Sequence, residues 1–126
     1  MMAPARMTDM ADVLALVDDI FFQAKLMETA RQVGVELKMV ANGEAFTAAA
    51  ASDPPRLMLV DLNARQGALE AVERLGKSGN PLPVIAFLSH VQVELAERAR
   101  AAGCRQVLPR SKFTAELAEI LRQAKQ

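Results

Sequence analysis

The stretch that decides the fold is Arg56-Leu57-Met58-Leu59-Val60-Asp61-Leu62-Asn63, which follows the helix-breaking pair Pro54-Pro55. Its four consecutive apolar residues end abruptly on the carboxylate of Asp61. An uninterrupted apolar run of this length is typical of a strand buried on both faces, as in the middle of a parallel sheet. Open α/β sheets bind their ligands at the carboxyl ends of such strands, so Asp61 is the first candidate for a functional residue.

Similar patterns recur on both sides of this stretch. Apolar or alternating runs predict four further strands, over residues 12–17, 35–40, 83–88 and 106–108. Apolar residues at helical spacing predict helices between and after the strands, over residues 22–33, 42–50, 67–75, 89–102 and 114–125. Strands that alternate with helices indicate the α/β class, a doubly wound parallel sheet with helices on both faces. Right-handed crossovers leave few ways to order the five strands.

Length and composition indicate an ordinary folded protein. The chain has 126 residues, 52% of them hydrophobic, with 15 basic and 15 acidic side chains. We predict a flexible leader over residues 1–11 and a single domain over residues 12–126. The balanced charge argues against nucleic-acid or membrane binding, and no apolar run is long enough for a membrane span. A single cysteine, Cys104, excludes an internal disulfide and favours the cytoplasm.

Three carboxylates are expected to lie at one edge of the sheet. Asp18 and Asp19 follow the first predicted strand, and Asp61 ends the third. In the strand order 2-1-3-4-5 the first and third strands are neighbours, which brings these side chains together. Their repulsion is unfavourable unless a cation lies among them, and oxygen-only ligands suit Mg²⁺ better than zinc. The alternative, that each acid is a solvated turn residue, stays open.

The chain resembles the receiver domain of bacterial two-component response regulators, which has a flavodoxin-like fold. The resemblance covers residues 12–121 and depends on the order and spacing of the acidic pair, Ala41-Asn42-Gly43-Glu44-Ala45, Asp61, Pro83-Val84-Ile85 and Ala101-Ala102-Gly103. It implies that Asp61 accepts a phosphoryl group and that Asp18 and Asp19 hold Mg²⁺. It also implies that the backbone carbonyl of Asn63 contacts the metal.

Three features of the same site depart from that family's pattern. Leu88 stands where the family has a threonine or serine, and the hydroxyl comes one residue later, at Ser89. Arg110 replaces the family's lysine, and the proline that follows this lysine is missing. The loop after Asp61 lacks the usual Met-Pro and Asp-Gly pairs. Ser89 either substitutes for the missing hydroxyl or, as we favour, caps the next helix through a Ser89-His-Val-Gln92 capping box.

Three more side chains near this edge have alternative roles. Arg110 either pairs with a phosphoryl group or is a basic residue that is solvated or neutralises Asp61 directly in the resting protein. Phe21 lies off the apolar stripe of its helix, so it is either exposed beside the acidic pair or tucked under a loop. His90, the only histidine, has no second histidine or cysteine in a ligand pattern, which argues against zinc.

The resemblance implies signal transduction by protein contact rather than enzymatic activity. We predict an atypical, stand-alone receiver in which Asp61 is a candidate Mg²⁺-dependent phosphoacceptor. The alternative is a pseudo-receiver, a phosphorylation-independent module for protein interaction, which the altered hydroxyl, lysine and loop favour. The expected partner is a histidine kinase or another protein, with a homodimer as a further form. A flavodoxin-like enzyme ranks last, because the chain has neither a Gly-rich phosphate loop nor an aromatic pair for a flavin.

Overall fold

The computed structural model describes residues 11–77, 83–89 and 92–125. The predictions for His90, and for the leader apart from residue 11, lie outside these residues. Five strands form one parallel sheet: β1 (Val13–Leu16), β2 (Leu37–Val40), β3 (Leu57–Asp61), β4 (Val84–Leu88) and β5 (Gln106–Pro109). Their order is β2-β1-β3-β4-β5, which confirms the predicted α/β fold and its strand order.

Helices cover both faces of this sheet and create two apolar layers. The helices are α1 (Ile20–Val33), α2 (Gly43–Ser52), α3 (Ala68–Gly76), α4 (Val93–Ala101), α5 (Arg110–Ala115) and α6 (Leu117–Gln123). Buried residues of α1, α5 and α6 pack on one face of the sheet. Those of α2, α3 and α4 pack on the other face. No helix in the described part of the chain has the length and apolar character needed to span a membrane.

Both ends of α1 and the start of α2 follow local capping signals. The Asp19 carboxylate accepts hydrogen bonds from the backbone N–H groups of Phe21 and Phe22, at 2.9 and 3.2 Å, and so begins α1. Gly34 ends α1 in the left-handed conformation, with φ of 76°. Asn42 caps α2 as predicted, through a side-chain oxygen. These short-range interactions explain why the two helix boundaries were predictable from the sequence.

Two predicted helix boundaries are wrong. The helix expected to begin at Ser89 begins at Val93, with Gln92 as its N-cap residue, so Ser89 does not cap it. The helix predicted over residues 114–125 is two helices, and the first begins at Arg110, directly after β5. In both cases the residue at the predicted boundary contacts a distant part of the chain, and the local pattern does not reveal this contact. The contacts of Ser89 and Arg110 are described below.

The register of β3 decides where Asp61 points. Side chains alternate between the two faces along a strand. Leu57 and Leu59 belong to the layer under α1, α5 and α6, so Asp61 projects to that same face. Asp61 is paired in register with Phe87 of β4, another member of this layer. The carboxylate therefore lies where this apolar and aromatic layer meets the edge formed by the carboxyl ends of the strands.

The start of α2 packs closely against the loop that follows β3. A Cβ atom built on Gly43 would lie 2.2 Å from the carbonyl oxygen of Gly67, and the Gly43 N–H donates to the Gln66 carbonyl at 2.7 Å. Only glycine permits this approach, because the obstructing atom belongs to the backbone and cannot rotate away. The contact holds the loop that leads from Asp61 into α3.

We predict that Gly43→Ala lowers the free energy of unfolding by about 1–3 kcal/mol, as overpacking commonly does. Chemical denaturation measures the loss, and amide chemical shifts should change around Gly67 and Asn63. Gly34→Ala is the comparison, because a Cβ there meets nothing within 4 Å and the cost comes from the positive φ alone. Its shift changes should stay near the end of α1. Unchanged stability in Gly43→Ala would contradict the proposed close contact.

Candidate functional site

Asp61 is the only charged or polar residue classed as buried in the described part of the chain, with 2% of its surface exposed. Both of its carboxylate oxygens have partners. Oδ1 accepts the backbone N–H of Asn63 at 2.9 Å. Oδ2 accepts a hydrogen bond from Nη2 of Arg110, also at 2.9 Å. The carboxylate is thus held by the backbone of its own loop, at Asn63, and by the side chain of Arg110, which follows β5.

Arg110 reaches Asp61 because aromatic packing anchors α5. Phe113, one turn further along the helix, stacks on Phe87 with ring centroids 4.1 Å apart and planes at 13°. The Arg110 guanidinium lies over the ring of Phe22, 4.5 Å from its centroid, and 5.5 Å from that of Phe87. We call Phe22, Phe87 and Phe113 the aromatic shelf. Of the two roles considered for Arg110, the structure has it neutralising Asp61 directly.

The Arg110 side chain is only partly satisfied by hydrogen bonds. Its side chain is 27% exposed, and its Nε is buried with no hydrogen-bond partner among the described residues. Leaving a buried donor unpaired is unfavourable. The stacking on Phe22 and the ion pair with Asp61 are the interactions that hold the guanidinium in this position.

Asp18 and Asp19 lie at the same edge but face other partners. Oδ2 of Asp18 accepts hydrogen bonds from the backbone N–H and Nε of Arg65, at 2.9 and 3.4 Å. Asp19 is turned to the start of α1 as its cap. Within residues 11–77, 83–89 and 92–125, no three His, Cys, Asp or Glu side chains are grouped closely enough to hold a metal ion. The donor types suit Mg²⁺, but these carboxylates are not grouped closely enough to form the predicted site.

Burial raises the pKa of Asp61 above its ordinary value of 3.8. The Asn63 hydrogen bond and the positive charge of Arg110 act in the opposite direction, while the negative charges of Asp18 and Asp19 raise the pKa further. The two acids are therefore close enough to Asp61 to repel it, as the strand order predicted.

Ser89 belongs to a polar network that the sequence did not reveal. Its backbone N–H and its hydroxyl both donate to Oδ1 of Asn63, at 2.6 and 2.8 Å. The Asn63 amide in turn donates to Oε1 of Gln92 at 2.8 Å. The Ser89 hydroxyl thus interacts with the loop after β3 rather than with Asp61. Leu88 points into the layer under α2, α3 and α4, where it is 4% exposed.

Of the two alternatives predicted for Phe21, exposed or tucked under a loop, the structure shows the exposed one. Phe21 is 82% exposed and its neighbour Ile20 is 69% exposed. The aromatic shelf, by contrast, was missed, because Phe22 and Phe87 follow patterns that predict only core positions and Phe113 lies outside every predicted strand and helix. No signal in the sequence distinguishes a phenylalanine that supports a guanidinium from one that fills the core.

Comparisons with known proteins support the fold and nothing narrower. No protein-family model matches the chain, and no curated protein matches it. A response regulator receiver protein from Pseudoalteromonas atlantica is similar in structure, with a TM-score of 0.76 and 21% identity over 90% of this chain and 95% of that one. A CheY-like receiver domain protein from Methanospirillum hungatei has a TM-score of 0.76 and 16% identity, over 92% and 97% of the two chains.

A third similar structure is a DNA-binding response regulator of the LuxR family from Staphylococcus aureus, with a TM-score of 0.75 and 14% identity. It covers 93% of this chain and 100% of that one. The chain therefore has the flavodoxin-like fold of response-regulator receiver domains, as the sequence predicted. At these identities the likeness shows the fold alone, so the role of each site residue has to be argued from its contacts.

We predict that the carboxyl group of Asp61 titrates above its ordinary pKa of 3.8, and that Arg110→Ala raises this pKa further because an opposing positive charge is lost. Carbon-detected NMR titration of the Asp61 carboxyl measures both values. Arg98→Ala is the control, since Arg98 pairs with Glu73 on another part of the surface. A lower Asp61 pKa in Arg110→Ala than in the wild type would be incompatible with the ion pair.

The same shift predicts how stability depends on pH. A pKa that is raised on folding means that the folded state binds the proton more tightly than the unfolded state. The stabilisation from Asp61 is therefore fully present below pH 3.8 and is lost as pH rises through the higher folded pKa. The difference in free energy of unfolding between the wild type and Asp61→Asn should follow this course. A difference that grew in favour of the wild type with rising pH would show that the shift has the opposite sign.

Proposed function

We propose that this chain is a signalling module of the receiver type that acts through contact with a protein partner, without phosphorylation of Asp61 as its switch. The observation that carries this proposal is the ion pair between Asp61 and Arg110 at a carboxylate that is 2% exposed. It corresponds to the pseudo-receiver alternative. The proposed role is that of a cytoplasmic binding protein and not of an enzyme.

The chemistry of phosphoryl transfer supports this choice. A carboxylate that accepts a phosphoryl group must present one oxygen in line with the leaving group, with cations neutralising the charge that develops. Oδ1 of Asp61 is engaged by Asn63, and Oδ2 lies against the guanidinium of Arg110. An incoming phosphate donor would therefore meet a carboxylate whose charge is already paired and whose two oxygens each accept a hydrogen bond.

The route by which a receiver communicates phosphorylation is also altered. In the family that the sequence resembles, a hydroxyl at the end of the fourth strand follows the phosphoryl group. Here that position is Leu88, which is buried in the opposite layer, and the nearby Ser89 hydroxyl is bonded to Asn63. Neither side chain is placed to follow a group attached to Asp61.

A groove beside α4 supports contact with a protein partner. It has a volume of about 380 Å³ and lies between α4 and β5, with a lining that includes Val93, Ala96, Val107 and Leu108. Val93 is 60% exposed, so an apolar side chain stands at its entrance. A histidine kinase, another signalling protein or a second copy of this chain would meet an apolar surface here.

A second candidate function is a phosphorylatable receiver, which one observation favours. Asp61 ends the central strand at the edge where Asp18 and Asp19 also lie, and Arg110 has a guanidinium suited to a phosphoryl group. In this candidate Mg²⁺ would be held by Asp18, Asp19, Asp61 and the Asn63 carbonyl, and Ser89 would supply the hydroxyl. The Ser89 hydroxyl would first have to leave Asn63, and Arg110 would have to turn from Asp61 to the phosphoryl group.

Acetyl phosphate, and beryllofluoride with Mg²⁺, distinguish the two candidates. We predict no covalent phosphate on Asp61 by mass spectrometry and no shift of the amides around Leu95 and Val107, because both Asp61 oxygens are engaged. The double variant Leu88→Thr with Arg110→Lys should gain a response, since it restores the hydroxyl and the compact cation. Asp61→Asn in that background is the control and should abolish the gain. Phosphorylation of the wild-type Asp61, with shifts that spread to α4 and β5, would overturn the proposal.

A further inference from the structure

The Arg110 guanidinium is the cation paired with Asp61, which ends the central strand at the edge where Asp18 and Asp19 also lie. It contacts Asp61 at 2.9 Å, and Asp61 is the most buried of the three acids. The remaining Asp61 oxygen accepts the Asn63 N–H. A metal ion that approached Asp61 would therefore meet a carboxylate whose charge is already paired, and it would be repelled by the positive charge of the guanidinium.

The aromatic shelf makes the guanidinium difficult to displace. A planar cation over an aromatic face is attracted to the ring, and this attraction increases when the pair is shielded from water. Arg110 lies 4.5 Å from the Phe22 centroid and its side chain is 27% exposed. Phe113, on the same short helix, fixes the start of α5 by stacking on Phe87. Moving Arg110 away from Asp61 would break the ion pair and the ring contact together.

The other arginine at this edge is a much weaker obstacle. Arg65 contacts Asp18 through Nε at 3.4 Å, and its side chain is 86% exposed. An ion pair with so much exposure contributes little and rearranges easily. Asp18 could therefore turn to a metal ion at small cost, whereas Asp61 could not. Arg65 and Arg110 each pair with an acid at the same edge, so replacing one and then the other gives a matched comparison.

We propose that Arg110, held on the aromatic shelf, is the permanent cation of this site and excludes divalent metal ions from Asp61. The charge that Mg²⁺ would supply is then built into the chain, and the Asp61 edge stays in one neutralised state whatever the concentration of metal. This inference deepens the proposed function and rests on it for its consequence, since a metal-independent site suits a module that is not switched by phosphorylation.

Mg²⁺ titration followed by amide chemical shifts tests the exclusion, at a mildly alkaline pH that keeps Asp61 ionised. The wild type should show no saturable shifts of Asp61 and Asn63 at millimolar Mg²⁺. Arg110→Ala should gain saturable shifts at these residues, with an apparent affinity at least about tenfold tighter than the wild type. Mg²⁺ should also raise the Tm of this variant and leave that of the wild type unchanged, because a ligand stabilises only the state that it binds.

Arg65→Ala is the matched control, since it removes the other arginine at the same edge. It should behave as the wild type does, without saturable shifts at Asp61. Arg110→Gln is a second variant that removes the positive charge but keeps most of the side-chain volume, in case Arg110→Ala does not fold. Phe22→Leu keeps the arginine but removes the ring beneath it, and should allow weak binding of Mg²⁺ that neither the wild type nor Arg65→Ala shows.

The outcomes separate this inference from the proposed function. Saturable Mg²⁺ binding at Asp61 in the wild type would overturn the inference, and so would a folded Arg110 variant that gains no binding. If neither Arg110 variant folds, an absence of binding in Phe22→Leu would overturn it. Mg²⁺ binding alone does not show whether Asp61 carries a phosphoryl group, so the proposed function is tested separately by the acetyl phosphate experiment. Conversely, a wild type that excludes Mg²⁺ yet responds to acetyl phosphate would refute the proposed function and leave the exclusion intact.

Discussion

A carboxylate buried at the end of a central strand has to be neutralised locally, and this requirement organises the edge of the sheet. Asp61 lies above an apolar layer, where an unpaired charge would be costly. Arg110 can neutralise Asp61 because α5 begins directly after β5. The stacking of Phe113 on Phe87 holds the start of α5 in this position. The ion pair, the early start of this helix and the aromatic shelf are thus parts of one arrangement.

This arrangement gives a physical reason for the residues that depart from the receiver pattern. A lysine at position 110 would present a compact charge that cannot lie flat on Phe22, whereas an arginine combines the ion pair with stacking. The hydroxyl that is missing at Leu88 has no group to follow if Asp61 carries none. Asn63 instead joins Asp61 to the approach to α4: its backbone N–H donates to Asp61, and its side-chain amide bonds to Ser89 and Gln92.

The same arrangement explains why the predicted metal site and the observed edge differ. The acids were correctly placed at one edge, because strand order and strand ends follow from apolar runs and from the handedness of crossovers. What the acids contact depends on groups from three different segments. Asp18 meets Arg65, Asp19 meets the start of its own helix, and Asp61 meets a residue 49 positions away.

The sequence by itself determined the α/β class, the strand order and the position of Asp61 at the end of the third strand. Each of these depends on residues close together in the chain or on the repeating pattern of apolar side chains, which a single sequence displays directly. Only the tertiary structure decided the partners of Asp61, the role of Ser89 and the start of α5. These depend on which side chains meet after the strands align, and a buried charge selects its partner by proximity in space rather than along the chain.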